Sequence, residues 1–524
     1  MPCDQTEKTV STVRRRSVLV ACVAGASLVA LDGTVLMAAQ PGLQRGLGAT
    51  VAQAQWVSTA YLVAVAALLV VCGRLGDRYG HRRMLVLGAL GFGAASAGIA
   101  LAPATGWVIG LRVLQGVFAA VLQPATLALL RTACPADRLA GAVAVRTGAI
   151  GIASAAGPVL GGALVALLGW RAVFLLNLPF ALGTAALALA VRTPPPDAAG
   201  RAGGPSAEGP AVTGTRLNTG GAALLATTLA LLVATLVEVP ARGWTSAPAL
   251  LGFAVTLGAA VLFVLSERSS GNPLVPAAVA RSVPVAASMA MLLVIAAGVF
   301  GALFAVTYQL QTVAGLDAFT GSLHGLPLPL LMVVGAPLTG RALGRIGARR
   351  TATGGVLLTV LGIALLSRVG SGWVEAAGFA AVGLGFAAVM VTATGTVVGD
   401  APAGYAGVVG GLKQTAVNTG STLGVAVAAG LMPMAATSIA ATTTTTTTAT
   451  AAAPAAAIAT GPTLLTLAAV AALALVPALL LPPRRRSPGD PGDPTDPTDP
   501  ADLPDQEGRE GRGPRPRCDA AAAA

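Results

Sequence analysis

Charge is scarce in this chain of 524 residues: only 10% of positions are Asp, Glu, Lys or Arg, where soluble proteins carry roughly a quarter. With 55% of residues apolar, the chain is read as solvated by lipid rather than water. Histidine is nearly absent, and the two present, His81 and His324, fall in or beside predicted loops. Neither a metal-ligand cluster nor a nucleophile with a base at matched depth is visible, which argues against a membrane-embedded enzyme. The five cysteines, Cys3, Cys22, Cys72, Cys134 and Cys518, are scattered without CxxC spacing, so no disulfide framework or metal site is expected. Period-2 alternation is also missing, which excludes a barrel. The apolar stretches are continuous and must satisfy their backbone groups internally, as helices.

Long apolar runs are what the chain has. About 20 apolar residues cross a ~30 Å hydrocarbon core, and by that measure about fourteen spans follow one another, from 17–39 to 461–481. The fold class is all-α and polytopic. The first run follows Arg14, Arg15 and Arg16 but is too long for a leader's apolar core. Asp32 interrupts it and no cleavage site follows, so it is read as a retained span.

The formal charge of +12 does not point to nucleic acid, because the arginines gather on alternate loops. Arg74, Arg78, Arg82 and Arg83, then Arg131 and Arg138, then Arg341, Arg345, Arg349 and Arg350 all fall on one side. By the positive-inside rule that side is cytoplasmic, with both termini on it.

One basic hinge occurs twice. Gly73, Arg74, Arg78, Gly80, Arg82 and Arg83 recur as Gly340, Arg341, Arg345, Gly347, Arg349 and Arg350. Such repetition marks a transporter built from related halves. The expected organisation is a cytoplasmic tail (1–16), a six-helix bundle (17–191), a Pro/Gly/Ala/Ser linker (192–216), two inserted spans (217–266), a second six-helix bundle (283–481) and a disordered tail (482–524). A threonine-rich loop at 435–460 is expected to be mobile.

A carboxylate inside a span costs roughly 2.5–3.5 kcal/mol on insertion scales and is normally kept for a purpose. Asp32 is such a residue. At ~1.5 Å per residue it lies about 22 Å from the basic end of its span, at a depth similar to that of Arg112. The two can pair in a water-lined cavity where a proton or cationic substrate competes for the carboxylate; a static ion pair that only fixes packing is the alternative. In the hinge, glycines are read as turning the chain and arginines as holding it at the inner leaflet. Asp77 is expected to cap a helix or meet the positive end of a neighbouring one. Its counterpart is Gly344, which leaves the first copy as the candidate gate. Gly148, Gly151, Gly157, Pro158, Gly161 and Gly162 form a small-residue face that allows close helix approach and a bend. Glu238 is read as a solvated rim residue, and Lys413 and Arg146 as snorkelling to headgroups. Tyr308, Gln309 and Gln311 are either substrate contacts or part of an aromatic belt.

Together these stretches resemble the major facilitator superfamily, in its fourteen-span drug:proton antiporter branch. Gly73-Arg-Leu-Gly-Asp77-Arg78-Tyr-Gly80-His-Arg82-Arg83 resembles the family's loop 2–3 motif. Leu111-Arg112-Val-Leu-Gln115-Gly116 resembles the span-four motif whose arginine is linked to proton transfer. Gly157-Pro158-Val-Leu-Gly161-Gly162 is similar to the antiporter motif. Gln55 to Leu62 and Trp170 to Pro179, with Asn177, match the branch's flanks. Leu31-Asp32-Gly-Thr34 and Pro41 resemble its span-one motif, although Met37 and Gln40 stand where the family usually has asparagine and leucine.

The resemblance implies two six-helix bundles plus two inserted spans. It also implies proton-coupled export of small hydrophobic drugs or antibiotics across the cytoplasmic membrane by alternating access. Asp32 and Arg112 would couple protons, while Thr34, Met37, Gln115, Tyr308 and Gln309 would contribute to the cavity. No cofactor or metal is expected, only the proton gradient. The partners would be substrate, protons and lipid, with the protein a monomer. Proton-coupled uptake or exchange of a metabolite is the alternative.

Overall fold

Apolar runs longer than a bilayer is thick fold into helices that begin where the sequence supplies a cap. Thr50 opens the second helix through a reciprocal box, its hydroxyl accepting from the Gln53 amide at 3.2 Å while the Gln53 side chain accepts from the Thr50 amide at 3.0 Å. Asn218 and Ser246 cap the two inserted helices by a single bond each, accepting from the amides of Gly221 and Ala249. The computed structural model describes residues 2–134, 136–190, 218–316, 318–368, 372–400, 405–442 and 452–483. The linker at 192–216, the tail from 484 and residues 443–451 of the threonine-rich segment lie outside the described residues.

The helices are α1 (Pro2–Leu47), α2 (Val51–Tyr79), α3 (His81–Ala100), α4 (Thr105–Ala133), α5 (Ala136–Leu168), α6 (Trp170–Leu175), α7 (Asn177–Ala190), α8 (Thr219–Arg242) and α9 (Ala247–Ser269). They continue as α10 (Ala277–Ala280), α11 (Val283–Tyr308), α12 (Ala318–His324), α13 (Pro327–Leu366), α14 (Gly372–Gly399), α15 (Ala406–Thr442), α16 (Ala452–Ala472) and α17 (Leu475–Leu479). The expected N-terminal tail is thus continuous with the first helix. A single π-helical turn, Gln309–Val313, extends α11.

Thirteen helical segments among the described residues are long and apolar enough to cross a membrane, against an expectation of about fourteen. The difference lies in α13, which runs for 40 residues through two expected spans and bends at Gly347, the one residue inside it with non-helical angles (φ 82°, ψ 169°). Each arm is about 20 residues, the length of one crossing.

Helices α1–α7 pack around two apolar cores, one centred on Leu28, Leu69, Leu85, Phe92 and Leu122, the other on Leu43, Val57, Val108 and Phe174. Helices α11 and α13–α17 share a separate core built on Met291, Leu292, Ile295, Val356, Ile363 and Leu467. The inserted helices α8 and α9 pair with each other, and α8 also lies on α2 and α15. The seam between bundles is carried chiefly by α2 with α15 and α5 with α13, and α4 on α15 and α5 on α14 add to it. In the first, Gly73 and Gly411 allow backbone-to-backbone approach, because a Cβ on Gly73 would collide with Gly407 and one on Gly411 with Leu69. The second pair is looser, with the space beside Gly340 bounded by the Ala144 side chain at 3.5 Å.

The hinge corrects the sequence reading in two respects. Only the last glycine of each copy turns the chain: Gly80 has φ 93° and Gly347 φ 82°. Gly73 lies within α2, where its missing side chain serves helix contact rather than turning. The arginines are also not mere leaflet anchors. The Arg82 Nε donates to the Ala188 carbonyl at 2.9 Å and a second guanidinium nitrogen to that of Leu189 at 2.7 Å. The Arg349 Nε donates to the Leu481 carbonyl at 3.1 Å. Each thus ties the hinge to the end of its own bundle's last helix, where unpaired carbonyls and the negative end of the dipole attract a cation.

Candidate functional site

Asp32 sits two-thirds of the way along α1, and α2, α3, α4 and α7 each bring a group toward it. Arg112 of α4 donates from Nη1 to Asp32 Oδ2 at 2.8 Å. The same nitrogen donates to Gln115 Oε1 one turn away, and Nε donates to the Val57 carbonyl of α2 at 3.1 Å. The Tyr61 ring lies under the guanidinium, 4.3 Å from its centroid, a cation–π contact that fixes the plane of the fork. The other carboxylate oxygen, Oδ1, accepts from Asn177 Nδ2 at 2.7 Å and from Gln115 Nε2 at 3.1 Å. The Ser96 hydroxyl of α3 accepts from both amides, at 3.3 and 2.8 Å, and itself donates to the Phe92 carbonyl.

Burial is nearly complete: Asp32 is 2% exposed, Arg112 1%, Asn177 1%, and Gln115 and Ser96 0%. The pair expected from depth alone therefore forms, but inside the first bundle rather than in a water-lined cavity. A lone carboxylate here would be strongly disfavoured; this one faces a guanidinium and two amides that satisfy both of its oxygens. Gln115, expected in a substrate cavity, is enclosed in this network. Asn177, Ser96 and Tyr61 were not singled out as site residues. The available signal for Asn177 was an amide inside an otherwise apolar run.

Thr34 lies half a turn beyond Asp32 and donates its hydroxyl back to Leu31 and Ala30 carbonyls. Gly157 of α5 backs onto it so closely that any Cβ would overlap the threonine. The glycine motif of α5 thus seats that helix on α1 beside the carboxylate. Gly161 is also buried, and Gly162 faces open space. Gly148 and Gly151 turn toward α13. The side chains of Met37 and Pro158 lie outside the described residues.

At the arginine-rich end Asp77 crosses the seam. Its Oδ1 accepts from the Gly407 amide at 2.7 Å and its Oδ2 from the Val408 amide at 3.0 Å. These are among the first amides of α15, which have no partner in their own helix and form the positive end of its dipole. His81 Nε2 lies 3.2 Å from the same carboxylate, and Arg74 covers the Tyr405 ring at 4.6 Å. Arg78 and Arg83 are exposed. Gly344, the second copy's counterpart of Asp77, has nothing within contact distance of an added Cβ, so the contact is one-sided.

The remaining candidates stand apart. Glu238 pairs with Arg242 one turn on, at 3.2 Å, both about half exposed, as a rim residue would. Tyr308 is exposed, whereas Gln309, in the π turn, is buried with Oε1 unpartnered. Lys413 and Arg146 depart from expectation. They are 2% and 5% exposed, too enclosed to snorkel. No group of three or more His, Cys, Asp or Glu able to hold a metal occurs among the described residues.

Two helical bundles joined along a glycine-lined seam, each closing on its own copy of a basic hinge, define a secondary transporter. The chain belongs to the Major Facilitator Superfamily, whose profile matches residues 22–425. It is 38% identical over 421 residues to the tetracenomycin C resistance and export protein of Streptomyces glaucescens, covering 79% of this chain and 75% of that one. It is 33% identical over 428 residues to a probable actinorhodin transporter of Streptomyces coelicolor, covering 79% and 72%. Among solved structures the proton:xylose symporter XylE superposes with a TM-score of 0.60 at 13% identity, over 89% of this chain and 95% of that one. That likeness concerns the fold alone.

Proposed function

We propose that the protein exports small, largely apolar drugs or antibiotics in exchange for protons, by rocking its two bundles about a central cavity. The arginine-rich end and both termini face the cytoplasm. The observation that carries the proton step is the buried Asp32, held by Arg112, Gln115 and Asn177 between four helices. A proton arriving at Asp32 removes the charge that these donors serve, and the network must rearrange. Because Thr34 and Gly157 join α1 to α5 beside it, the rearrangement reaches the helix that packs against the second bundle.

Asp77 supplies the complementary step at the cytoplasmic end, where its contact with the first amides of α15 must break before the cavity opens inward. Each pH unit contributes about 1.4 kcal/mol per proton, and the membrane potential about 2.3 kcal/mol per charge per 100 mV, enough for a modest substrate gradient per proton. Direction and cargo rest on the named relatives, one a resistance and export protein. Growth of an efflux-deficient host expressing the protein, across a panel of antibiotics and dyes with and without a protonophore, tests this reading. Protection that the protonophore removes is expected; protection that survives it, or none across the panel, contradicts it.

A further inference from the structure

Arg146 and Lys413 are basic side chains with no anionic partner among the described residues. Arg146, on α5 of the first bundle, donates to the Thr126 hydroxyl at 3.2 Å, while its Nε is buried with no partner. Lys413, on α15 of the second bundle, is among the largest fully buried side chains in the protein.

Helix contacts bring them together at the seam. Gly410, one turn before Lys413, backs onto Pro124 and Leu127 of α4, the same stretch whose Thr126 holds Arg146. Arg146 and the turn of α15 that carries Lys413 thus both pack on the Pro124–Leu127 stretch of α4. Counted along their helices at ~1.5 Å per residue, both lie about 10–15 Å from the arginine-rich end, between the Asp77 contact and the Asp32 cluster.

A guanidinium keeps its charge in any surroundings and presents a fork that fits a carboxylate. A guanidinium and an ammonium enclosed on one stretch of the seam are disfavoured unless an anion joins them or the ammonium gives up its proton. The walls beside them, Pro124, Leu127 and Val417, are apolar and suit an apolar body.

We infer that Arg146 and Lys413 form an anion subsite across the seam, and that the exported compounds include amphiphilic organic acids, an apolar or aromatic body bearing a carboxylate or ionised phenol. The inference rests on the export reading and narrows its substrate class. With one cation from each bundle, a bound anion draws the bundles together, and their parting releases it.

The test uses the purified full chain in nanodiscs and two probes of matched shape, anthraquinone-2-carboxylate and anthraquinone-2-carboxamide. The native protein is expected to bind the carboxylate about tenfold more tightly, the scale of one charge-assisted contact. Lys413→Gln and Arg146→Gln should each collapse that ratio toward one, and Lys413→Arg should retain it. Equal affinities in the native protein, no binding of either probe, or a ratio untouched by both glutamine variants overturns the subsite. Comparing zwitterionic discs with discs containing phosphatidylglycerol separates the source of the anion: a ratio that persists in both supports a substrate acid, and one that vanishes with the anionic lipid assigns the site to lipid phosphate and overturns it. Carboxylate preference in the discs with no export of either probe from cells overturns the export reading alone.

Discussion

Gly73 of α2 and Gly407 of α15 meet backbone to backbone, and a Cβ on either would collide with the other's carbonyl. Four residues beyond Gly73, Asp77 binds the amides of Gly407 and Val408. The two contacts form one clasp: the glycines set the distance at which the carboxylate reaches the helix end.

Gly73→Ala should separate α2 from α15 and destabilise the clasped state by about 1–3 kcal/mol, the usual range for overpacking against unyielding atoms. Gly340→Ala, in the equivalent place of the second copy, faces the Ala144 side chain at 3.5 Å and should be tolerated. Thermal unfolding of both variants in detergent checks the contrast, and equal losses would contradict it.

Asp77→Asn removes a charge from two hydrogen bonds to a helix N-terminus, each worth about 1.5–3 kcal/mol when charged. Hydrogen exchange at the Gly407 and Val408 amides should quicken about tenfold or more. Gly344→Asp should leave exchange at these two amides unchanged, since a Cβ at that position meets nothing within 4 Å.

Arg82→Ala and Arg349→Ala should each weaken the attachment of a hinge to its bundle's last helix by about 1 kcal/mol or more. Arg82 reaches two carbonyls and Arg349 one through its Nε, so the Arg82 variant should show the larger drop in midpoint temperature.

Asn177→Ala takes one donor from Asp32 and leaves the carboxylate held by Arg112 and Gln115. A loss of about 1.5–3 kcal/mol is expected for a bond to a buried charge, with transport reduced while membrane insertion persists. Transport assayed in vesicles alongside the amount inserted separates the two effects.

The spans and the doubled hinge were legible because run length and arginine spacing are local properties of the chain. Asp32 and Arg112 were legible because charge inside an apolar helix is rare. Asn177, Ser96 and Tyr61 were not, since short polar side chains are common in spans and only packing shows which face a common partner. Packing also decided the glycines: Gly73 and Gly80 look alike in sequence, yet one serves helix contact and the other a turn. Lys413 and Arg146 lie close enough to a helix end to suggest snorkelling, and only the α4–α15 contact shows them enclosed.

The central claim is that Asp32 carries the transported proton, and Asp32→Asn in proteoliposomes tests it most directly. With a substrate dye loaded on one side, the variant should still exchange dye across the membrane at equal pH but fail to concentrate it when a pH gradient is imposed. Accumulation driven by the gradient at the native rate would contradict the account.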